Sequence, residues 1–264
     1  MEKSPLAGLL DYVVPVLLVV VVLLVLHLLK TIAFPHIFPW VVARITINYN
    51  KAMASFKQEL LKDMKDQLDS LREKPVDGSS ANGEAQPSLT VLEIGVGSGA
   101  NFKFYPDGTT VIAVEPNKNF VGYLEKSVAE HFPRVRLQRT VIAYGEDLRD
   151  HVEDCSVDAV VCTLVLCSVR DIDAVLQETK RVLKPGGKFY FLDHIAADPE
   201  TWTSTLQWVL RPVWSYVGDG CQLVRKVWPE VDRAGFSRVS YKKFLAHPTL
   251  PRVIRPHVMG MATK

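Results

Sequence analysis

The chain has 264 residues, which is enough for one large domain or two small ones. Apolar residues make up 48% and charged residues 23%, a composition that excludes a disordered, collagenous or low-complexity chain. With 31 Lys and Arg against 29 Asp and Glu, the net charge is +2, so the overall charge does not indicate a nucleic-acid partner. The four cysteines include no Cys-x-x-Cys pair, so the sequence predicts neither a disulfide scaffold nor a metal site.

The first 30 residues, 1–30, are predicted to anchor the chain in a membrane. The run 12–26 has no charged side chain, and flanking leucines extend it to about 20 apolar residues, enough for a helix to cross a hydrocarbon core of about 30 Å. A cleaved signal peptide would have a shorter apolar run and a site of small residues, whereas Lys30 and Thr31 follow here. More Lys and Arg follow the run than precede it, which favours a cytosolic position for the rest of the chain.

A second apolar segment, residues 31–48, follows the anchor. It contains Pro35 and Pro39, which should break a spanning helix. Trp40 and Arg44 are residue types that favour the headgroup region of a bilayer. We expect an interfacial or re-entrant segment, and the sequence leaves open whether the chain spans the membrane once or forms a hairpin.

Residues 49–73 are predicted to form an amphipathic helix, because apolar residues recur there at spacings of three and four. Such a helix either rests on the membrane or packs on the folded domain. Residues 74–88 are rich in Gly, Pro, Ser and Asn, which is typical of a linker. The folded domain therefore comprises residues 89–264.

This domain alternates predicted strands and helices. Alternation of this kind is typical of an α/β fold with a doubly wound, mostly parallel sheet and helices on both faces. Two late strands lie close together in the sequence and should pair antiparallel at one end of the sheet. The predicted strands are 90–94, 110–114, 136–143, 158–163, 188–192, 237–244 and 257–262, and the clearest helices are 117–131 and 171–183.

A glycine-rich loop follows the first predicted strand. The sequence Glu-Ile-Gly-Val-Gly-Ser-Gly places Gly95, Gly97 and Gly99 at the carboxyl end of a buried strand, where open α/β sheets bind ligands. Together with Ala100 the first two glycines also satisfy the relaxed dinucleotide fingerprint, so a nicotinamide cofactor is one interpretation. Glu93 favours a different ligand, because a carboxylate there attracts an ammonium group and repels a pyrophosphate. S-adenosylmethionine carries such an ammonium group.

Acidic residues also end the next two predicted strands. Glu115 follows the second strand, where a carboxylate can accept hydrogen bonds from both ribose hydroxyls. Asp147 follows the third strand, where it can accept a hydrogen bond from the exocyclic amine of adenine. A charged residue at a strand end is most often just solvated. Three acids at consecutive strand ends together indicate a nucleoside ligand.

Five segments of the chain resemble successive motifs of the class I S-adenosylmethionine-dependent methyltransferases: VLEIGVGSG, VIAVEPN, GED, SVDAVVCTLVLCSV and RVLKPGGKFYFLDH. This resemblance covers residues 89–194. The apolar N-terminus, together with GSGANFKFYP, VLKPGG and GDGC, resembles more specifically the small membrane-anchored methyltransferase-like proteins that act as thiol S-methyltransferases of the endoplasmic reticulum and lipid droplets.

The resemblance implies a seven-stranded Rossmann-like fold, S-adenosylmethionine as the cofactor, and a location at the endoplasmic reticulum membrane and lipid droplets with the domain facing the cytosol. The chain departs from that family at two positions, since Val96 and Glu115 stand where its members commonly have Cys and Asp. The family's cofactor motif corresponds to Glu93, Gly95, Gly97 and Gly99, its ribose contact to Glu115 and its adenine contact to Asp147.

Methyl transfer from a sulfonium requires alignment of the reacting atoms more than it requires a strong base. A thiol with a pKa of about 8.5 is already partly ionised near neutral pH. Asp193 and His194 end a predicted strand beside the cofactor loop, and they are the candidates for assisting deprotonation of the acceptor. The alternative is a solvated or buried pair with a structural role.

Residues 202–228 contain four of the five tryptophans. This concentration predicts a helical lid over a lipophilic substrate, with some of the rings in the core. Cys162, Cys167 and Cys221 are candidates for methyl acceptors or relays, but buried cysteines at strand ends are more often small core residues.

Three functions fit the sequence. The first is methyl transfer to small lipophilic thiols, the second is methyl transfer to a lipophilic quinone, sterol or lipid, and the third is non-catalytic cofactor binding on a membrane or lipid droplet. The expected partners are a small acceptor and, through the N-terminus, membrane lipid.

Overall fold

The computed structural model describes residues 17, 20–73 and 88–264. Much of the predicted anchor, and residues 74–87 of the predicted linker, lie outside the described residues. The described part contains a long N-terminal helix and an α/β domain built on one seven-stranded sheet.

The sheet has the strand order β3-β2-β1-β4-β5-β7-β6, which confirms the predicted doubly wound fold. The first five strands pair in parallel, and β7 pairs antiparallel with both β5 and β6, as the sequence predicted for the last two strands. The strands are β1 Leu89–Ile94, β2 Thr109–Val114, β3 Val135–Val141, β4 Val157–Thr163, β5 Leu183–His194, β6 Arg238–Leu245 and β7 Pro256–Thr263.

Two apolar layers form the core, one on each face of the sheet. Successive side chains of β2 alternate between them, since Ile112 belongs to one layer and Val111 to the other. One layer includes side chains of α4 and α6, and the other includes side chains of α1, α2 and α3. The helices are α1 Phe34–Leu61, α2 Asp63–Glu73, α3 Val121–His131, α4 Ile172–Val182, α5 Trp202–Val217 and α6 Trp228–Arg233.

The N-terminal helix continues through both prolines, so the predicted break at Pro35 and Pro39 is wrong. A π-helical turn, Leu29–Ala33, leads into α1, and Pro35 lies in the first turn of α1. Pro39 has no N–H to donate to the carbonyl of Pro35, four residues earlier. The side-chain amides of Asn117 and Asn119 donate to that carbonyl instead, at 3.0 and 3.2 Å. The domain therefore supplies the hydrogen bonds that the helix lacks.

The described residues include one helix that is long and apolar enough to cross a membrane. It extends over Val20–Ser70, and its most apolar part is not buried against the domain. This agrees with the predicted anchor in length and composition. The division between residues 1–30 and 31–48 stays a prediction.

The C-terminal half of this helix packs on the domain, which answers the question that the sequence left open for residues 49–73. Met53, Met64 and Leu68 are at most 1% exposed and belong to the core layer that covers one face of the sheet. Burial of a side chain of this size contributes about 1.5–3 kcal/mol relative to an exposed one. The amphipathic helix is therefore part of the domain.

Leu68→Ala tests this packing. We expect the substitution to lower the free energy of unfolding by about 2–5 kcal/mol, because it removes buried methyl groups and leaves a cavity. Urea unfolding of the full-length protein in detergent measures the change, and Lys65→Ala, at an exposed position of the same helix, is the control. Equal unfolding free energies for the two variants would show that α2 does not stabilise the domain.

Candidate active site

A cavity of about 370 Å³ opens at the carboxyl ends of β1, β2, β4 and β5. This is where open α/β sheets bind ligands, and the volume falls in the range of about 300–1,000 Å³ common for such pockets. Its walls are mainly apolar. The glycine loop, Glu93 and Glu115 line it, and so do Cys167, His194 and Cys221.

The glycine loop begins where β1 ends and lines the cavity with backbone. Gly95 and Gly97 have φ values of +65° and +52°, which lie in the left-handed region that favours glycine. A Cβ atom at Gly95 would lie 2.3 Å from Val165, whereas one at Gly97 would meet only Phe120, at 3.8 Å. Gly95 therefore permits close packing of two loops. Gly97 instead leaves open space in which a ligand can approach the backbone.

Glu93 is 2% exposed, and both of its carboxylate oxygens accept hydrogen bonds. Asn101 Nδ2 donates to one at 2.8 Å and the Tyr105 hydroxyl to the other at 2.6 Å. Lys57 Nζ donates to Asn101 Oδ1 at 2.7 Å, which joins α1 to this network. Burial raises the pKa of Glu93 to about 7, and the hydrogen bonds and the charge of Lys57 oppose that effect. A cationic ligand beside Glu93 would favour its ionised form.

Glu115 follows β2 directly and links the glycine loop to the loop that follows β2. Its carboxylate accepts hydrogen bonds from the backbone N–H of Gly97 and of Asn117, each at 3.0 Å. Burial raises its pKa, and these two hydrogen bonds act in the opposite direction. A carboxylate oxygen has more than one lone pair, so Glu115 retains acceptor capacity toward the cavity.

Two predicted cofactor residues are not in the cavity wall. Asp147 is exposed, and Gly99 contacts α3 side chains, where a Cβ atom would lie 2.9 Å from Ser127 Oγ. The adenine contact of Asp147 stays a prediction. The structure brings together four of the six predicted cofactor residues, namely Glu93, Gly95, Gly97 and Glu115.

Three cavity-lining side chains that are far apart in the sequence lie close together in the fold. His194 Nε2 lies 2.9 Å from Cys221 Sγ, and Trp214 Nε1 donates to the same sulfur at 3.2 Å. The donor atoms of Cys167, His194 and Cys221 all lie within 4.8 Å of one another. Such a donor set fits a zinc ion. Without a metal, the same side chains form a hydrogen-bonded cluster that can move a proton.

The cluster has an unusual distribution of charge. Hydrogen bonds from Cys167 and with His194 lower the pKa of Cys221 to about 4 against the opposing effect of burial. Burial alone lowers the pKa of His194, but its hydrogen bond to Cys221 and the charges of Cys221 and Asp193 raise it overall. Cys221 therefore favours its thiolate form, and the negative charge of the sulfur makes neutral His194 a stronger proton acceptor.

Asp193 lies behind this pair. It is fully buried, burial raises its pKa to about 6, and its Oδ2 accepts a hydrogen bond from the backbone N–H of Cys167 at 3.1 Å. Asp193 Oδ1 and His194 Nδ1 are buried and have no hydrogen-bond partner among the described residues. Unsatisfied buried polar atoms are costly and rare in native proteins, so these two atoms stand out among the described residues.

The sequence interpretation missed one wall of the cavity. Side chains of α1 at positions 38, 42, 45, 46 and 49 share one helical face and line the cavity, although the region was predicted to be interfacial. The spacing of these residues at about one helical turn was the available signal. Trp214 of α5 lines the cavity too, whereas Trp202 and Trp208 are exposed, so the lid over a substrate stays a prediction.

Backbone strain also marks the cavity. Leu164 and Asp219 both line it and have φ values of +59° and +51°. Positive φ is rare for residues other than glycine, and it is concentrated at functional sites. No sequence signal pointed to either residue.

Comparison with known proteins identifies the family. A methyltransferase domain family matches residues 92–191. Human thiol S-methyltransferase TMT1A is 43% identical over 229 residues, which cover 86% of this chain and 86% of the relative. Rat thiol S-methyltransferase TMT1B is 40% identical over 261 residues, which cover 96% of this chain and all of the relative. The chain belongs to the thiol S-methyltransferase family. It is thus an S-adenosylmethionine-dependent methyltransferase, as the resemblance implied.

Solved structures confirm the fold. A possible histamine N-methyltransferase from Thermotoga maritima superimposes with a TM-score of 0.50 at 18% identity, over 85% of this chain and 98% of that one. Phosphoethanolamine N-methyltransferase 2 from Haemonchus contortus gives a TM-score of 0.51 at 15% identity, over 75% of this methyltransferase and 52% of that chain.

Gly97→Ala tests the role of the loop in this methyltransferase. The substitution should abolish detectable binding of S-adenosylmethionine in calorimetry, because the Cβ atom would project into the ligand space and strain the backbone. Gly186→Ala is the control, since Gly186 has a φ of +75° but a Cβ atom there meets nothing within 4 Å. Unchanged cofactor affinity in Gly97→Ala would contradict this role.

Proposed function

We propose that this protein transfers the methyl group of S-adenosylmethionine to the sulfur of small lipophilic thiols at a membrane surface. The observation that carries the proposal is a mainly apolar cavity that is lined both by the glycine loop and by the cluster of Cys167, His194 and Cys221. Such a cavity can align a methyl donor with a thiol, which is the main requirement of thiol methylation, and it also holds a group that can accept the thiol proton.

The part of the cavity near Glu93, Glu115 and Gly97 is assigned to the cofactor because of its negative charge and its open space. The carboxylate of Glu93 attracts the ammonium group of S-adenosylmethionine, and Glu115 accepts hydrogen bonds from the ribose. Asp147 contacts adenine, and Gly95, Gly97 and Gly99 shape the loop. The open space at Gly97 supports this arrangement, because a side chain there would exclude the ligand.

The part of the cavity near His194 is assigned to the acceptor thiol and to the removal of its proton. His194 in its neutral form accepts the proton of the acceptor thiol, and the thiolate sulfur then attacks the methyl carbon in line with the leaving sulfur. The charges of Asp193 and Cys221 stabilise the imidazolium that forms. They also bring the pKa of His194 closer to that of an alkyl thiol, which favours proton transfer.

An assay panel tests the acceptor class. Full-length protein in detergent is incubated with labelled S-adenosylmethionine and matched thiols, phenols and quinols of similar lipophilicity. We expect methylation of the thiols. Methylation of the quinols alone would favour the quinone or lipid alternative, and methylation of none would favour a non-catalytic cofactor-binding protein.

The proposed location is the endoplasmic reticulum membrane and lipid droplets, with the domain in the cytosol. The long apolar helix supports attachment to a membrane, and the family resemblance supports these two compartments. Fluorescence microscopy of the tagged full-length chain tests the location.

Glu115→Gln tests the ribose contact. Loss of a charge-assisted hydrogen bond should weaken cofactor binding by about 1.5–3 kcal/mol, which is roughly ten- to a hundredfold. The cofactor KM should rise while kcat changes less, because the contact is equal in the ground and transition states. A large fall in kcat with an unaltered cofactor KM would refute the assignment.

His194→Ala and Asp193→Asn test the proton acceptor. Both should lower kcat most for an alkyl thiol and least for an acidic aromatic thiol, because only the alkyl thiol needs assistance with deprotonation. Steady-state rates with both acceptors measure the difference. If both rates survive in both variants, alignment alone is sufficient and the base assignment fails.

The pH dependence gives the same experiment a second readout. Because only neutral His194 accepts a proton, kcat should fall as the pH drops through the raised pKa of His194. Cys221→Ser removes the partner that raises this pKa, so the acidic limb of the profile should move to lower pH. An unmoved limb would separate Cys221 from the titration that controls activity.

A further inference from the structure

Helix α5 presents its apolar side outward. Its exposed apolar side chains recur at spacings of three and four residues and form one continuous stripe along the helix. Trp202 is 77% exposed and Val209 is 68% exposed, although both residue types are normally buried. The stripe consists of Trp202, Leu206, Val209, Val213, Tyr216 and Val217, and Trp208 lies beside it.

The inward side of α5 is fixed by a polar residue. Gln207 is fully buried, and its amide donates to the carbonyls of Ile195 and Val253 at 3.1 and 2.8 Å. Its Oε1 accepts from the backbone N–H of Ala197 at 2.8 Å. All hydrogen-bonding groups of this side chain are used, so rotating α5 to bury the stripe would leave them unpaired. The outward apolar face is therefore a stable property of the fold.

The C-terminal end of α5 touches the N-terminal apolar helix. The Tyr216 hydroxyl donates to the carbonyl of Leu26 at 3.0 Å, and Lys30 Nζ donates to the carbonyl of Tyr216 at 2.8 Å. Lys30 Nζ also lies 3.6 Å from the carboxylate of Asp219. The stripe thus continues directly from the segment predicted to enter the membrane.

The lining of a groove on this face suits a phospholipid. The groove is lined by Trp202, Thr205, Leu206, Val209 and Arg252. Its volume is about 300 Å³. An apolar groove beside a cation fits an acyl chain and its phosphate, and Trp is a residue type enriched at bilayer interfaces.

We propose that the outer face of α5 docks on the lipid bilayer that holds the N-terminal helix. Both helices contribute to the cavity wall, α5 with Trp214 and α1 with Val42 and the exposed Ile45. The cavity consequently opens at the bilayer surface, and lipophilic acceptors reach it from the lipid. This last step rests on the proposed function, whereas the docking itself does not.

Fluorescence quenching tests the docking in the full-length protein. The protein is reconstituted in phosphatidylcholine and phosphatidylserine vesicles with lipids brominated near the headgroup end of the acyl chain. Trp40 is 54% exposed and is itself expected in the headgroup region, so the experiment uses a Trp40→Phe background. In that background, Trp202→Phe with Trp208→Phe should remove most of the emission that these lipids quench. Trp228→Phe, at a half-buried position of α6, is the control and should leave the quenched emission unchanged.

Turnover tests the entry route. Val209→Glu with Val213→Glu should raise the KM of a long-chain alkyl thiol in vesicles by about tenfold or more, because a charged side chain is costly in apolar lipid. The KM of a short hydrophilic thiol and of the cofactor should not change. Leu245→Glu, at an exposed apolar position of β6, is the matched control.

The outcomes separate the two proposals. Absence of thiol methylation by the unmodified protein would overturn the proposed function and leave the quenching result as an independent test of docking. Unquenched Trp202 and Trp208 would overturn the docking. Unquenched emission together with cross-linking between copies at position 209 would assign the stripe to self-association instead.

Discussion

A buried chain of hydrogen bonds from Lys57 through Asn101 to Glu93 is the constraint on which the rest of the site depends. Lys57 and Glu93 are each only 2% exposed, and an unpaired charge in such a place is costly. Lys57 belongs to α1 and Glu93 to β1, so each element supplies what the other needs. The helix cannot leave the sheet without exposing Lys57 and leaving Asn101 and Glu93 partly unpaired.

That constraint makes the apolar helix part of the enzyme. On the C-terminal side of Lys57, α2 buries Met64 and Leu68 in the core. On the N-terminal side of Lys57, α1 forms a wall of the cavity. The Pro35 carbonyl is bound by the loop that follows Glu115, so that loop and the helix are also joined there. The helix that is long and apolar enough to cross a membrane thus also forms part of the cavity wall.

The sequence predicted what local rules determine. Parallel strands end at one edge of a sheet, so acids and glycines at successive strand ends were correctly brought together at Glu93, Gly95, Gly97 and Glu115. The sequence-based prediction failed where residues that are distant in the sequence determine the local structure. The proline rule was wrong at Pro39 because Asn117 and Asn119 compensate for the missing donor, and nothing local shows that Cys221 would lie beside His194. Periodicity also finds the apolar side of α5 without saying whether that side faces protein or lipid.

The arrangement of α1 has a consequence for any attempt to trim the chain. Residues 89–264 contain the whole sheet and all the recognised methyltransferase motifs, yet they lack Tyr49, which binds His257, and Lys57, which supports the Glu93 network. A fragment chosen by motif boundaries would thus have an open, water-filled site and an uncovered sheet face. In this protein the smallest catalytic unit is larger than its recognisable domain.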